Sequence, residues 1–248
     1  MIKFIHHHVK KTYAALLLLS VEVIMIALLF VLSFVIFIFI VDRIFLQRTD
    51  VFDLRVFNFL SQYVTPLNNS MMQSITFFGT ATFLFPANIL LIIWFAFIQK
   101  HRWYSIKIPV ISITSLSLMI GLKTLFNRPR PLIPLLDAAS GLSFPSGHSL
   151  TSMTFYGLIA YIVWERIKNP YIKWITITAL LIFILLIGFS RIYLRVHYAS
   201  DVAAGFSIGF IWLVISLWAL RHLERFTSKK IDPVVEENKS EVAKSPTI

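Results

Sequence analysis

Three short stretches hold residue types that can bind and transfer a phosphoryl group. The first is Lys123-Thr-Leu-Phe-Asn-Arg-Pro-Arg130-Pro131, the second is Pro145-Ser146-Gly147-His148, and the third runs from Ser190-Arg191 through His197 to Asp201. Lys123, Arg130 and Arg191 are three cations. Brought together they repel one another unless an anion sits among them, and Arg can hold two phosphoryl oxygens at once. Taken singly, each is an ordinary basic residue at a helix end, which usually snorkels or anchors.

Pro145-Ser146-Gly147-His148 opens an apolar run. A helix starting there presents unpaired N–H groups and a partial positive charge, with a glycine that lets backbone approach a ligand closely. His148 at that position can protonate a leaving oxygen. The plainer reading is a turn and a helix cap. His197 and Asp201 are spaced i, i+4 at the start of the last apolar run, which places them on one helix face. An aspartate bonded to one imidazole nitrogen fixes the tautomer and frees the other as a nucleophile. Otherwise His197 is an interfacial polar residue, and Asp201 an N-terminal charge favoured by the helix dipole.

These stretches need elements that bring them together. Of 248 residues, 57% are hydrophobic and only 14% charged, against about 25% charged in soluble domains. The apolar residues come in long runs, giving six candidate spans: 14–41, 81–98, 106–122, 149–164, 174–189 and 202–220. The third to fifth are shorter than the roughly 20 residues a bilayer core requires, so they must borrow flanking residues. With six spans, all three stretches fall on one side of the membrane. One span more or fewer between them would put the bilayer in between.

Between the first two spans, Phe52, Val56, Phe59, Leu60 and Tyr63 share a helical face, with Asp53, Arg55, Ser61 and Gln62 elsewhere. This reads as an interfacial amphipathic helix bordering the access route to the site. Pro66 ends it, and residues 68–78 lead helically into the second span, with Gly79 as a bend. The fold class is therefore all-α, a polytopic membrane bundle of six transmembrane helices. Residues 1–226 form the membrane domain, with the motifs in 123–201. Residues 227–248 read as a polar, disordered cytoplasmic tail.

The net charge of +11 sits in short clusters between apolar runs, which argues for topology anchors and against nucleic acid. With the N-terminus in the cytoplasm, fifteen Lys and Arg lie inside and eight outside, so both termini are cytoplasmic and the motifs face outward. The chain has no cysteine, which excludes disulfides, cysteine-ligated zinc and thiol catalysis. The first run is too long for a signal-peptide core. His6, His7 and His8 sit beside Lys10 and Lys11 and read as a solvated basic flank rather than a metal site. Glu22, inside the first span, is either a polar contact within the bundle or the mark of a transport path.

In order, spacing and topology the motifs resemble the type 2 phosphatidic acid phosphatase (PAP2) superfamily, whose signature is Lys-x6-Arg-Pro, Pro-Ser-Gly-His and Ser-Arg-x5-His-x3-Asp. Every signature position is filled. The bacterial lipid phosphatases acting on phosphatidylglycerophosphate or undecaprenyl diphosphate are the branch it is most similar to. Family members often carry Gly two residues before the nucleophile and Pro two after it, where this chain has Arg195 and Ala199. Arg195 adds a cation within reach of a second phosphate.

The resemblance implies a lipid phosphatase working through a phosphohistidine. His197 is then the nucleophile, Asp201 its orienting partner and His148 the acid and base. Lys123, Arg130, Ser146, Gly147 and Arg191 bind the phosphate. No metal or other cofactor is expected, and the partners are a lipid phosphate and the bilayer. A phosphotransferase with the same site is the nearest alternative. Haloperoxidase activity suits a membrane site poorly. A transporter or interaction protein with an inactive site is the alternative of another class.

Overall fold

In the computed structural model, residues 2–132, 134–135 and 141–228 are described, those before Val21 by backbone alone. The histidine triplet and residues 229–248 of the expected tail therefore lie outside the described side chains. The described residues are helical, with no strand among them. They form α1 (Ile2–Val41), α2 (Val51–Ser61), α3 (Pro66–Phe77), α4 (Ala81–Ile93), α5 (Arg102–Phe126), α6 (Gly147–Arg166), α7 (Pro170–Tyr193) and α8 (Ala199–Phe226). Thr227 and Ser228, assigned to the tail from sequence, continue α8.

Local chemistry sets the boundaries. Thr65 caps α3 with Pro66 in its first turn, and Thr80 caps α4. Asn169 caps α7 ahead of Pro170. Asn127 closes α5 in the left-handed region (φ 46°), its N–H returning to the Lys123 carbonyl. These caps lie outside the apolar runs, so α5 and α7 extend well beyond the spans read from hydrophobicity.

Five segments are long and apolar enough to cross a bilayer: Val21–Leu46, Pro66–Ile98, Arg102–Phe126, Pro170–Tyr193 and Ala199–Phe226. The chain is a multi-pass membrane protein. The expected lead-in is present: α3 and α4 join as one long segment with Gly79 at the break. The expected fourth span corresponds to α6, which is about 30 Å long at 1.5 Å per residue but too polar to qualify. The reason is its place. α6 packs against α5, α7 and α8, and Ser149, Ser152 and Thr154 are buried on it. Its buried polar residues face neighbouring helices.

Gly205 and Gly209 on α8 make that packing close. A Cβ at Gly205 would lie 2.7 Å from the Ser146 carbonyl oxygen, and one at Gly209 2.9 Å from that of Leu150. This is the small-xxx-small contact of membrane helices.

α2 departs from the sequence reading at Asp53. Its inward residues are Asp53 and Leu60, flanked by Val56 and Phe57, whereas Phe52 is 65% exposed and Phe59 59% exposed. A carboxylate assigned to the polar side is thus the most buried residue of the helix. The cause is an arginine from elsewhere in the chain, described below.

α5 and α8 run in opposite directions. Lys107, an anchor by sequence, is buried and paired with Glu224 at 2.7 Å. Lys123 lies 16 residues further along α5, about 24 Å away, beside the ends of the neighbouring helices that carry the other motifs.

Candidate active site

The three stretches meet at one end of the bundle. Lys123 closes α5, Ser146 caps α6, Arg191 closes α7, and Asp201 occupies the first turn of α8. Arg191, His197, Arg130 and Lys123 all lie within electrostatic reach of His148.

His197 does not share a helix face with Asp201, as the spacing implied. It lies in the loop before α8, and Asp201 reaches back from the third helical position, where its Oδ2 also accepts the Tyr198 N–H at 3.0 Å. The His197 Nδ1 to Asp201 Oδ2 distance is 3.6 Å. Ser143 stands beside both. Its hydroxyl donates to Asp201 Oδ2 at 2.5 Å and lies 3.4 Å from His197 Nδ1. The other imidazole nitrogen, Nε2, is 3.4 Å from the Arg130 guanidinium. One edge of the ring thus faces the carboxylate and the other faces the cations. His197 is 2% exposed. Burial pushes its pKa down to about 4, opposed by Asp201 and assisted by Arg130 and Arg191. The neutral imidazole, the nucleophilic form, is the stable one.

The cations are held by neutral acceptors. Arg130 donates to the Gly141 and Val196 carbonyls at 3.0 and 2.8 Å, and Lys123 to the Leu142 carbonyl at 2.6 Å. Arg191 donates to the Thr76 hydroxyl of α3 at 2.7 Å, and its buried Nε has no partner among the described residues. His148 Nε2 is likewise buried without a partner there. Buried polar atoms in this condition call for an occupant that supplies the missing bond. A guanidinium N–H can donate to an anionic oxygen, and an imidazole nitrogen can donate or accept according to its tautomer.

Ser146 and Gly147 both do structural work. The Ser146 hydroxyl caps α6 by accepting the Ser149 N–H, and a Cβ at Gly147 would lie 2.6 Å from the Met119 sulfur. The cap and the glycine bring the start of α6 against α5, beside Lys123. Arg195 is half-buried with φ 53°. Left-handed backbone is what the family's usual glycine adopts without cost, and here an arginine occupies it.

Five residues of the network carried no mark in the motifs: Asp53, Thr76, Arg128, Ser143 and Ser200. Arg128 had counted only as an outer anchor. It is buried, donates to Asp201 Oδ1 at 2.6 Å and Asp53 Oδ2 at 2.9 Å, and stacks 4.0 Å over the Tyr198 ring. Burial alone would lower its pKa, but Asp201 and Asp53 outweigh that and hold it above the ordinary value. The sequence signal available was the position of Arg128 two residues before Arg130.

The profile of the PAP2 superfamily matches residues 104–225, from α5 to α8. Phosphatidylglycerophosphatase B of Bacillus subtilis is 32% identical over 166 residues, 66% of this chain and 81% of that protein. The chain belongs to the PAP2 superfamily. It is a membrane phosphatase of that family, a hydrolase of phosphate esters. Undecaprenyl-diphosphatase BcrC of B. subtilis is 30% identical over 58% of this chain and 72% of its own length. Among solved structures, a transmembrane PAP2 type phosphatidylglycerolphosphate phosphatase from B. subtilis superposes with TM-score 0.69 at 26% identity, covering 82% of this chain and 98% of that one. Aquifex aeolicus LpxE matches with TM-score 0.52 at 31% identity, over 66% and 93%.

Proposed function

We propose that this phosphatase hydrolyses a phosphomonoester or diphosphate lipid at the outer membrane face, through a phosphohistidine on His197. The observation that carries the reading is the two-sided setting of that imidazole. Nδ1 faces Asp201 and Ser143, and Nε2 opens toward Arg130 in a cluster of three cations.

In the first step the Nε2–P bond forms as the bond from phosphorus to the leaving oxygen breaks, and His148 protonates that oxygen. In the second, His148 takes a proton from water as the water oxygen bonds phosphorus and the Nε2–P bond breaks. Asp201 orients His197 and offsets the charge that develops on the ring. Lys123, Arg130 and Arg191, with the Ser146 hydroxyl and the Gly147 N–H, stabilise the equatorial oxygens, whereas the Ser146 N–H donates to the Asp201 backbone carbonyl at 3.0 Å. Fixed cations supply the charge that a divalent ion gives other phosphoryl-transfer enzymes, so turnover is metal-independent.

The bundle is read as six spans, α6 being the inner one, with both termini cytoplasmic. The Lys and Arg distribution supports that orientation. A lipid phosphate with its tail in the bilayer lies at the depth of these helix ends. Phosphatidylglycerophosphate and undecaprenyl diphosphate are the first substrates to test, since relatives are named for acting on them.

The test is phosphate release from each lipid by wild type and His197→Ala. The variant is expected to lose turnover, with a phosphohistidine trapped at residue 197 in wild type only. Wild-type turnover by the variant would overturn the reading. A labelled phosphate appearing on an added lipid alcohol, with none free, would make the enzyme a phosphotransferase.

A further inference from the structure

The mechanism above leaves one buried carboxylate without a task. Asp53 on α2 is 1% exposed, and its polar partners Arg128 and Ser200 lie 75 and 147 residues away in sequence. Its Oδ1 accepts the Ser200 N–H at 2.9 Å, and its Oδ2 accepts the Ser200 hydroxyl at 2.6 Å and Arg128 at 2.9 Å. Arg128 in turn donates to Ser200 Oγ at 2.8 Å and to Asp201 Oδ1 at 2.6 Å. The chain of contacts runs from α2 to the carboxylate facing His197.

Charge gives this chain a purpose. Arg128 on Asp201 would cancel the negative charge that His197 needs opposite its ring. Asp53 beside Arg128 cancels the arginine instead. The three groups together carry one net negative charge, and it faces the imidazole. The other charged or titratable groups around His197 are Lys123 of α5, Arg130 of the following loop, His148 of α6 and Arg191 of α7. Apart from His148, these are all cations. The negative side of the ring therefore depends on Asp201 and on whatever sets its effective charge.

We infer that Asp53 is a positioning residue for catalysis, holding Arg128 so that it fixes the Asp201 carboxylate in place without neutralising it. α2 thereby belongs to the catalytic apparatus, although Asp53 lies outside residues 104–225, where the family profile matches. The inference rests on the proposed roles of His197 and Asp201.

The test uses the full-length protein in detergent micelles with phosphatidic acid as probe, measuring kcat, KM and the pH dependence of kcat/KM. Asp53→Asn leaves the trio neutral. Its kcat is expected to fall by about tenfold or more, one unit of pKa being a tenfold change, with KM little changed and the acid limb moved to lower pH. Arg128→Gln leaves two buried carboxylates facing each other and moves the limb to higher pH. In the double variant the two amides can bond each other and Asp201 again stands alone. It is expected to recover most of the lost kcat and the wild-type limb.

Wild-type kcat and pH profile in Asp53→Asn, or a double variant no better than Asp53→Asn, would overturn the inference. If Asp53→Asn does not fold, identical pH profiles in Arg128→Gln and the double variant would also overturn it. His197→Ala assayed in parallel separates the two claims: turnover there refutes the nucleophile, whereas turnover in Asp53→Asn alone refutes only the role of α2.

Discussion

Gly79→Ala tests whether the packing of the α3–α4 bend positions His148. A Cβ at Gly79 would lie 2.6 Å from Ile187 Cγ2, 2.9 Å from His148 Cδ2 and 3.2 Å from Ser152 Oγ. Optimal carbon–carbon separation is about 3.5–4.0 Å, so the shortfall is about 1 Å at Ile187 and about 0.6 Å at His148. Ile187 and Ser152 are fully buried and cannot retreat into solvent. Gly79 has no positive φ, so an alanine fits the backbone and the strain falls on the contacts. Overpacking of this kind costs about 1–3 kcal/mol. Part of it is relieved by moving the imidazole, and a displacement of about 1 Å in a reacting group can cost about 100-fold in rate. The expected outcome is a kcat about 10- to 100-fold lower with KM little changed, because the cations are untouched. Gly121→Ala is the control: nothing lies within 4 Å of its Cβ position, and a helical alanine should gain about 0.5–1 kcal/mol. The assay is steady-state phosphate release beside thermal unfolding in the same detergent. Unchanged kcat in Gly79→Ala would refute the argument, as would equal losses in both variants.

Burial holds the His197 pKa down to about 4. Protonation destroys the nucleophile, and a depressed pKa moves that event to lower pH. The acid limb of kcat/KM should therefore lie well below 6.5, and a limb at 6.5 would mean that the ring is solvated. Thr76→Val removes the hydroxyl that takes the Arg191 N–H at 2.7 Å. A hydrogen bond to a charged group is worth about 1.5–3 kcal/mol, so kcat/KM should fall roughly 10- to 100-fold, and an unchanged value would show that Thr76 does not hold the guanidinium. Chelator should leave the rate of the purified enzyme unchanged, and activity lost in EDTA and regained with Mg²⁺ would contradict catalysis by fixed cations.

Much of this protein is written locally. A run of apolar residues long enough to cross a bilayer makes a helix wherever it lies in the chain, because lipid leaves the backbone no other partners. The motifs announced themselves by residue type and spacing, and counting spans placed them at one end. What local patterns cannot carry is the identity of partners distant in sequence. Asp53 meets Ser200 across 147 positions, Thr76 meets Arg191 across 115, and Ser143 meets Asp201 across 58. Amphipathic periodicity put Asp53 off the apolar face of α2 because it scores a carboxylate as polar. Only the fold supplies Arg128 and Ser200, whose charge and hydrogen bonds offset the cost of burying that carboxylate. α6 was legible as an apolar run, but only the fold shows that its buried Ser149, Ser152 and Thr154 pack among neighbouring helices. Spacing paired His197 with Asp201, but tertiary structure decided how they meet: the histidine sits in the loop and the aspartate reaches back to it from the first turn of α8.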